Sequence, residues 1–155
     1  MIQTFSKSRS LAGGRLGFAI GNEALIRDLN TVKYSINPYN VNRMTQAAGI
    51  AALQSGEYYA SCVRQIVENR AYAAAELRKL GFDVLPSAAN FLFARAPGVE
   101  GGTLYRELKA RGVLVRWFDL DRIRDFTRIT VGTREQMDTL LDAIRSILKE
   151  RGKYL

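Results

Sequence analysis

The clearest pattern of apolar and polar positions lies near the carboxyl end of the chain. Between residues 137 and 148, apolar side chains recur every three or four positions, which is the period of a helix with one buried face. Thr133 and Gln136 stand just before this stripe at the spacing of a capping box, and Gly152 follows it. The pattern predicts a helix that begins after Thr133 and ends near Gly152.

A second and longer helix is predicted over residues 57–80. Its apolar stripe would be formed by Val63, Ile66, Val67, Leu77 and Leu80. A glycine, Gly81, follows at once, and glycine commonly occupies the position after the end of a helix. A helix of this length can connect two parts of a molecule.

The remaining pattern alternates short apolar runs with shorter helical segments. Asn22 is a candidate N-cap for a helix whose apolar face is Leu25, Ile26 and Leu29. Further helices are predicted over residues 41–54, closely packed through alanines, and over residues 103–110. Strands are predicted over residues 1–5 (the end of a buried strand), 16–20, 82–85, 90–94, 113–117 and 126–131. Strands and helices mixed in this order indicate an α/β fold with helices covering a sheet.

Composition narrows the possible chemistry. The chain has no histidine, which excludes histidine-based triads and leaves lysine as the obvious catalytic amine. The net charge is +8, but the 23 basic residues are dispersed among acidic ones, so nucleic-acid binding is not expected. No apolar run approaches the length of a membrane span, and the start lacks a signal-peptide pattern, so we expect a cytoplasmic protein.

One segment, residues 4–18, carries a specific chemical signature. Lys7 stands between hydroxyl side chains and is followed by a glycine-rich bend and by Arg15. A lysine amine can hold an aldehyde covalently, while Thr4, Ser6 and Arg15 can donate hydrogen bonds to a phosphate. Pyridoxal phosphate has both an aldehyde and a phosphate, so the segment predicts this cofactor. The alternative is a polar loop whose lysine and arginine are merely solvated.

The same segment resembles the cofactor-lysine motif of the fold-type I aminotransferases, and within them the histidinol-phosphate aminotransferase family. Three later segments match that family in the same order, so the resemblance covers essentially the whole chain. They are residues 37–42 (Asn-Pro-Tyr-Asn-Val-Asn), residues 89–93 (Ala-Asn-Phe-Leu-Phe) and residues 128–135 (Arg-Ile-Thr-Val-Gly-Thr-Arg-Glu). The resemblance implies transfer of an amino group between histidinol phosphate and 2-oxoglutarate, giving imidazole acetol phosphate and glutamate, by a homodimer.

The resemblance also assigns roles to individual residues. Lys7 would hold pyridoxal phosphate and act as general base and acid, with Thr4, Ser6 and Arg15 around the cofactor phosphate. Arg128 and Arg116 would bind the substrate phosphate. Two arginines match the double charge of a phosphate better than they match the single charge of a carboxylate. Asn90 would lie near the substrate. The aromatic residues Phe91, Phe93 and Trp117 are expected to be packing residues.

The match is to the carboxy-terminal portion of the family pattern only. It implies a remnant of the large domain over residues 1–56, a bridging helix over residues 57–80 and a small domain over residues 81–155, with a short mixed or antiparallel sheet. In the family, the acid that pairs with the cofactor ring nitrogen comes from segments before the lysine. We therefore expect little activity from the chain alone. Most strands of the family's large-domain sheet also lie outside the match, so we expect residues 1–39 to expose apolar surface that favours self-association.

Two other interpretations stay open at this stage. A threonine-phosphate decarboxylase or an aromatic aminotransferase would keep the cofactor motif and change the reaction. A non-catalytic fragment that only folds and self-associates would take up no cofactor at all.

Overall fold

The computed structural model describes residues 1–152 of the 155-residue chain. They form six strands and five α-helices. The strands are β1 (Ile2–Thr4), β2 (Gly17–Ala19), β3 (Asp83–Val84), β4 (Phe91–Arg95), β5 (Arg116–Trp117) and β6 (Phe126–Thr130). The helices are α1 (Glu23–Ile36), α2 (Arg43–Gln54), α3 (Gly56–Lys79), α4 (Gly101–Ala110) and α5 (Arg134–Glu150). The chain divides into two compact units, Met1–Val63 and Arg64–Leu155, with the boundary inside α3.

The first unit contains a two-stranded antiparallel sheet and two capped helices. β1 and β2 pair with Gln3 opposite Phe18. The side chain of Asn22 accepts a hydrogen bond from Ala24 N–H at 2.9 Å, so the predicted N-cap of α1 is confirmed. In the same way, Asn42 caps α2 by accepting from Thr45 N–H at 2.9 Å.

Burial in the first unit differs from the prediction. The strand over residues 1–5 was expected to be buried, but Ile2 is 86% exposed, because β1 has only β2 as a neighbour in its sheet. The apolar face predicted for α1 forms, yet Leu25 and Leu29 remain exposed. In α2 the buried residues are Thr45, Gly49 and Ala52, so only part of the expected alanine packing occurs.

The second unit is an antiparallel sheet with helices on one face. The strand order is β3-β4-β6-β5, and β4 and β6 share the longest ladder, from Phe91 opposite Thr130 to Arg95 opposite Phe126. Alternate residues of β4 and β6 point into the core, where Leu92 and Ile129 are both 2% exposed. The other face of these strands carries the candidate substrate residue Arg128. The mixed α/β architecture confirms the predicted fold class.

The core of the second unit lies between this sheet and three helical surfaces. α5 contributes the whole stripe predicted from the sequence, whose six residues are all buried: Met137, Leu140, Leu141, Ile144, Ile147 and Leu148. The part of α3 in this unit contributes Ala73, Ala74 and Leu77, while α4 contributes Leu104 and Leu108. Val67 lies on the predicted stripe of α3 but is 45% exposed, so that stripe is buried only at its carboxyl end.

The helix ends follow the predicted chemistry with small shifts. Thr133 and Gln136 form the full capping box of α5. Gly81 has φ +82°, a left-handed conformation in which glycine avoids the strain of a side chain.

The predicted strand over residues 113–117 is shorter than expected, because only Arg116 and Trp117 pair with β6. Within residues 1–152, no helix has both the length and the apolar character needed to cross a membrane.

Candidate active site

The predicted cofactor lysine lies on a tight turn after β1. Ser10 N–H donates to the Lys7 carbonyl at 3.1 Å, and Leu11 N–H donates to the Phe5 carbonyl at 3.1 Å. Phe5 is 6% exposed, whereas Lys7 is exposed. Within residues 1–152, the Lys7 amine has no carboxylate within 4.0 Å. A buried Phe5 thus anchors the turn and leaves the amine accessible to a ligand.

Two hydroxyl groups stand beside this lysine in the chain and contact each other. Ser6 N–H donates to Thr4 Oγ1 at 3.1 Å, and Thr4 Oγ1 donates to Ser6 Oγ at 2.9 Å. The turn therefore brings Thr4 and Ser6 together, next to Lys7. The single O–H of Thr4 is donated to Ser6 in this arrangement, so the Ser6 O–H is the hydroxyl donor open to a small anion such as a phosphate, and the Thr4 O–H would have to turn away from Ser6 to join it.

Arg15 lies at the end of the same loop. Its backbone is left-handed, with φ +50°, and its guanidinium donates to the Ala12 carbonyl at 3.1 Å. In the part of the chain that the structure describes, no hydrogen bond joins Arg15 to Thr4, Ser6 or Lys7. The guanidinium is held by its own loop, with its remaining N–H groups available. The residues present therefore fit a phosphate-bearing aldehyde, although only Thr4 and Ser6 are in mutual contact.

The two predicted substrate arginines are brought together by the sheet of the second unit. Arg116 on β5 lies directly opposite Arg128 on β6 in the antiparallel ladder. Both residues are exposed. Neither guanidinium has a carboxylate within 4.0 Å among residues 1–152. Two positive charges on paired strands, without a counter-ion among the described residues, attract a multiply charged anion.

The contacts of these arginines are with aromatic rings. The Arg116 Cζ atom lies 5.2 Å from the centroid of the Phe118 ring, and Arg128 Cζ lies 5.9 Å from the same centroid. Arg128 Cζ also lies 5.5 Å from the centroid of Phe91. The sequence pattern predicts a packing role for Phe91 and assigns no role to Phe118. The available signal was the spacing of Arg116 and Phe118, since residues two apart on an extended chain point to the same side.

Asn90 precedes β4 in a well-anchored loop. Its carbonyl accepts from Val131 N–H at 2.9 Å, and the neighbouring Ala89 carbonyl accepts from the Arg70 guanidinium at 2.7 Å. The side chain of Asn69 donates to the Gly132 carbonyl at 3.0 Å, just after β6. The loop that carries Asn90 is thus tied both to α3 and to the end of the Arg128 strand, and Asn90 itself is exposed.

The second unit also has a cavity, and neither Phe91 nor Phe118 lines it. It measures about 330 Å³ and is lined by residues of β6, α5 and the segment before β5, such as Val115, Thr130 and Gln136. Its lining contains no charged side chain. It therefore lacks the charge needed to bind a phosphate, and the exposed arginine pair is the stronger candidate for binding an anion.

Residues 1–144 match the family model of aminotransferase class I and II. The chain therefore belongs to the class I and II aminotransferase family. A histidinol-phosphate aminotransferase from Clostridium beijerinckii is 47% identical over 155 residues, which are 100% of this chain and 43% of that protein.

Solved structures place the same fold in this family. The histidinol-phosphate aminotransferase from Clostridium acetobutylicum matches with a TM-score of 0.83 and 25% identity, over 96% of this chain and 45% of that one. The enzyme from Sinorhizobium meliloti, solved in complex with pyridoxal-5'-phosphate, shares the fold with a TM-score of 0.77 and 24% identity, over 97% of this chain and 41% of that one. The chain spans less than half the length of these relatives.

Proposed function

We propose that this chain provides the cofactor lysine and the substrate phosphate site of a pyridoxal-phosphate-dependent aminotransferase acting on histidinol phosphate, with 2-oxoglutarate as amino acceptor. The observation that carries the proposal is the pairing of Arg116 with Arg128 without a carboxylate partner within residues 1–152. The identity of 47% to a histidinol-phosphate aminotransferase supports the same substrate.

The Lys7 turn would hold the cofactor. The Lys7 amine would bind its aldehyde carbon, and the hydroxyls of Thr4 and Ser6, with the guanidinium of Arg15, would donate hydrogen bonds to its phosphate. When bound, pyridoxal phosphate supplies a ring that accepts electron density from the substrate α-carbon. Lys7 Nζ, once released, would take the proton from that α-carbon as general base and return a proton as general acid.

The residues of the second unit would bind and orient the other end of the substrate. A phosphate monoester carries close to two negative charges at neutral pH, and each planar guanidinium can donate two parallel hydrogen bonds to its oxygens. Arg116 and Arg128 therefore select a phosphorylated amine over its unphosphorylated analogue. Asn90, on its anchored loop, would supply an amide for a further contact with the substrate.

Cofactor binding provides the direct test of this proposal. The chain is titrated with pyridoxal phosphate, the absorbance change is followed, and the adduct is reduced with borohydride and located by peptide mapping. We expect saturable binding with the label on Lys7, loss of both in Lys7→Ala, and retention in Lys33→Ala, which removes an exposed lysine of α1. Labelling scattered equally over several lysines would contradict the proposal and favour a fragment that only folds.

The whole protein is proposed to act as a homodimer. The support is the apolar surface of α1, where Leu29, Val32 and Ile36 are 48%, 55% and 79% exposed. Contiguous apolar surface of this kind commonly marks a protein interface. Light scattering coupled to size-exclusion chromatography would test self-association, and a Leu29→Lys, Ile36→Lys double variant should give a monomer.

A further inference from the structure

The ring of Phe118 is shared by the two candidate substrate arginines. Arg116 Cζ lies 5.2 Å and Arg128 Cζ 5.9 Å from its centroid, both within the range of a cation–π contact. Phe118 follows β5 directly and is half-buried, whereas both arginines are exposed. Each guanidinium therefore has a fixed neutral surface beside it, although the two groups repel each other.

A ring is a different kind of support from a carboxylate. A carboxylate would occupy the guanidinium N–H donors and cancel the positive charge. The face of a ring attracts the cation electrostatically and leaves the N–H donors, which lie in the guanidinium plane, available for a ligand. Sharing one ring also restricts the rotamers of two long side chains, so less conformational entropy is lost when an anion binds.

The neighbouring aromatic residues make a useful contrast. Phe126 lies on the same strand as Arg128, and its ring stacks on Phe93 with centroids 4.9 Å apart. Its cationic neighbour is Arg95, which is paired with Asp83 at 3.0 Å. Phe126 thus supports an arginine whose charge is already neutralised, whereas Phe118 supports two arginines without a carboxylate partner in the described part of the chain.

We propose that Phe118 is a positioning residue that holds Arg116 and Arg128 together on one ring and so prepares them to bind a phosphate dianion. This inference rests on the proposed function, since it assigns a role within the same phosphate site. It extends that proposal to a residue that itself offers no hydrogen-bond donor. The ring acts through the two guanidiniums, and its expected effect is on phosphate affinity rather than on the fold.

The test measures the affinity of the full chain for inorganic phosphate by a ³¹P NMR titration at constant ionic strength, with Arg15→Ala in every protein so that the proposed cofactor-phosphate site does not contribute. We expect Phe118→Leu to weaken binding by a factor of about 4 to 25, because one exposed cation–π contact corresponds to a factor of about 2 to 5 and two contacts are lost. Phe118→Tyr keeps the ring and should retain the affinity. Phe126→Leu is the matched control and should bind phosphate like the parent chain.

The variants also separate the two proposals. If Arg128→Ala and Phe118→Leu both weaken binding and Phe118→Tyr restores it, the inference is supported. If Arg128→Ala weakens binding but Phe118→Leu does not, the role of Phe118 is overturned while the phosphate site stands. If Arg128→Ala leaves affinity unchanged, the proposed phosphate site fails first. Thermal unfolding checks each fold, and Phe118→Met replaces the leucine variant should that one unfold.

Discussion

Arg116 and Arg128 face each other across neighbouring antiparallel strands, and within residues 1–152 neither is paired with a carboxylate. Like charges directly opposite each other destabilise a sheet by roughly 0.2–1 kcal/mol. A bound anion removes that repulsion. The chain therefore maintains an unfavourable pair of charges at the place where a phosphate is proposed to bind.

Phosphate should stabilise the folded chain more than chloride at equal ionic strength. A ligand that binds only the folded state adds about 1.4 kcal/mol for each tenfold increase in 1 + [ligand]/Kd. We expect this increment in thermal unfolding of the parent chain and a smaller one in an Arg116→Ala, Arg128→Ala double variant, which keeps only the proposed phosphate donors beside Lys7. Arg95→Ala removes an arginine from the same sheet, one already paired with Asp83, and should keep the increment. An equal response of all three proteins would argue against the site.

Gly101 should not tolerate a side chain, although it is the first residue of a helix. A Cβ atom at this position would lie 2.9 Å from the carbonyl carbon of Asp125, which is backbone and cannot rotate away. Gly101→Ala should destabilise the chain by about 1–3 kcal/mol through overpacking. Gly56 is the first residue of α3, and a Cβ there would meet nothing within 4 Å. Urea unfolding of Gly101→Ala and Gly56→Ala should therefore show a loss only in the first.

The capping box of α5 should make a measurable contribution to stability. Gln136 N–H donates to Thr133 Oγ1 at 3.3 Å, and Thr133 N–H donates to Gln136 Oε1 at 2.9 Å. Thr133→Ala should cost about 1 kcal/mol in urea unfolding, while Thr133→Ser should keep most of the stability. Thr139 lies on the same helix, and its hydroxyl donates to the Glu135 carbonyl one turn earlier, which caps no helix end. Thr139→Ala should therefore have little effect.

Glu76 should make stability depend on pH on the acid side. The hydrogen bond from Lys79 at 2.6 Å, aided by the charges of Lys79 and Arg145, holds the pKa of this carboxyl below its usual value, although partial burial opposes the shift. A lowered folded-state pKa gives stability that is present above the unfolded pKa of about 4.3 and is lost as the pH falls through the folded value.

The corresponding experiment compares Glu76→Gln with the parent chain by urea unfolding between pH 7 and pH 3. The variant should be less stable at pH 7, and the difference should shrink as the pH falls below about 4. Glu68 lies on the same helix without an ion pair in the described chain, so Glu68→Gln serves as the control. A difference that stays constant over the whole range would mean that the ion pair does not carry the effect.

Local chemistry made parts of this structure predictable. The capping box of Thr133 and Gln136 involves residues three positions apart, and the left-handed Gly81 follows from a single residue type. The predicted cap of α1 by Asn22 likewise joins residues two positions apart. Such features depend on short stretches of sequence, so pattern and residue chemistry are sufficient to locate them.

Tertiary structure decided which predicted faces are buried and which side chains meet. Val67 and Leu77 share a predicted helical stripe, yet Leu77 is fully buried and Val67 is 45% exposed. Hydrophobic periodicity predicts which face of a helix is apolar, but it does not predict which part of that face another element covers. The sequence by itself determined the family, the helices and the candidate arginines. The register of β5 on β6 decided that Arg116 stands opposite Arg128, because strand pairing is set by contacts between residues distant in the chain.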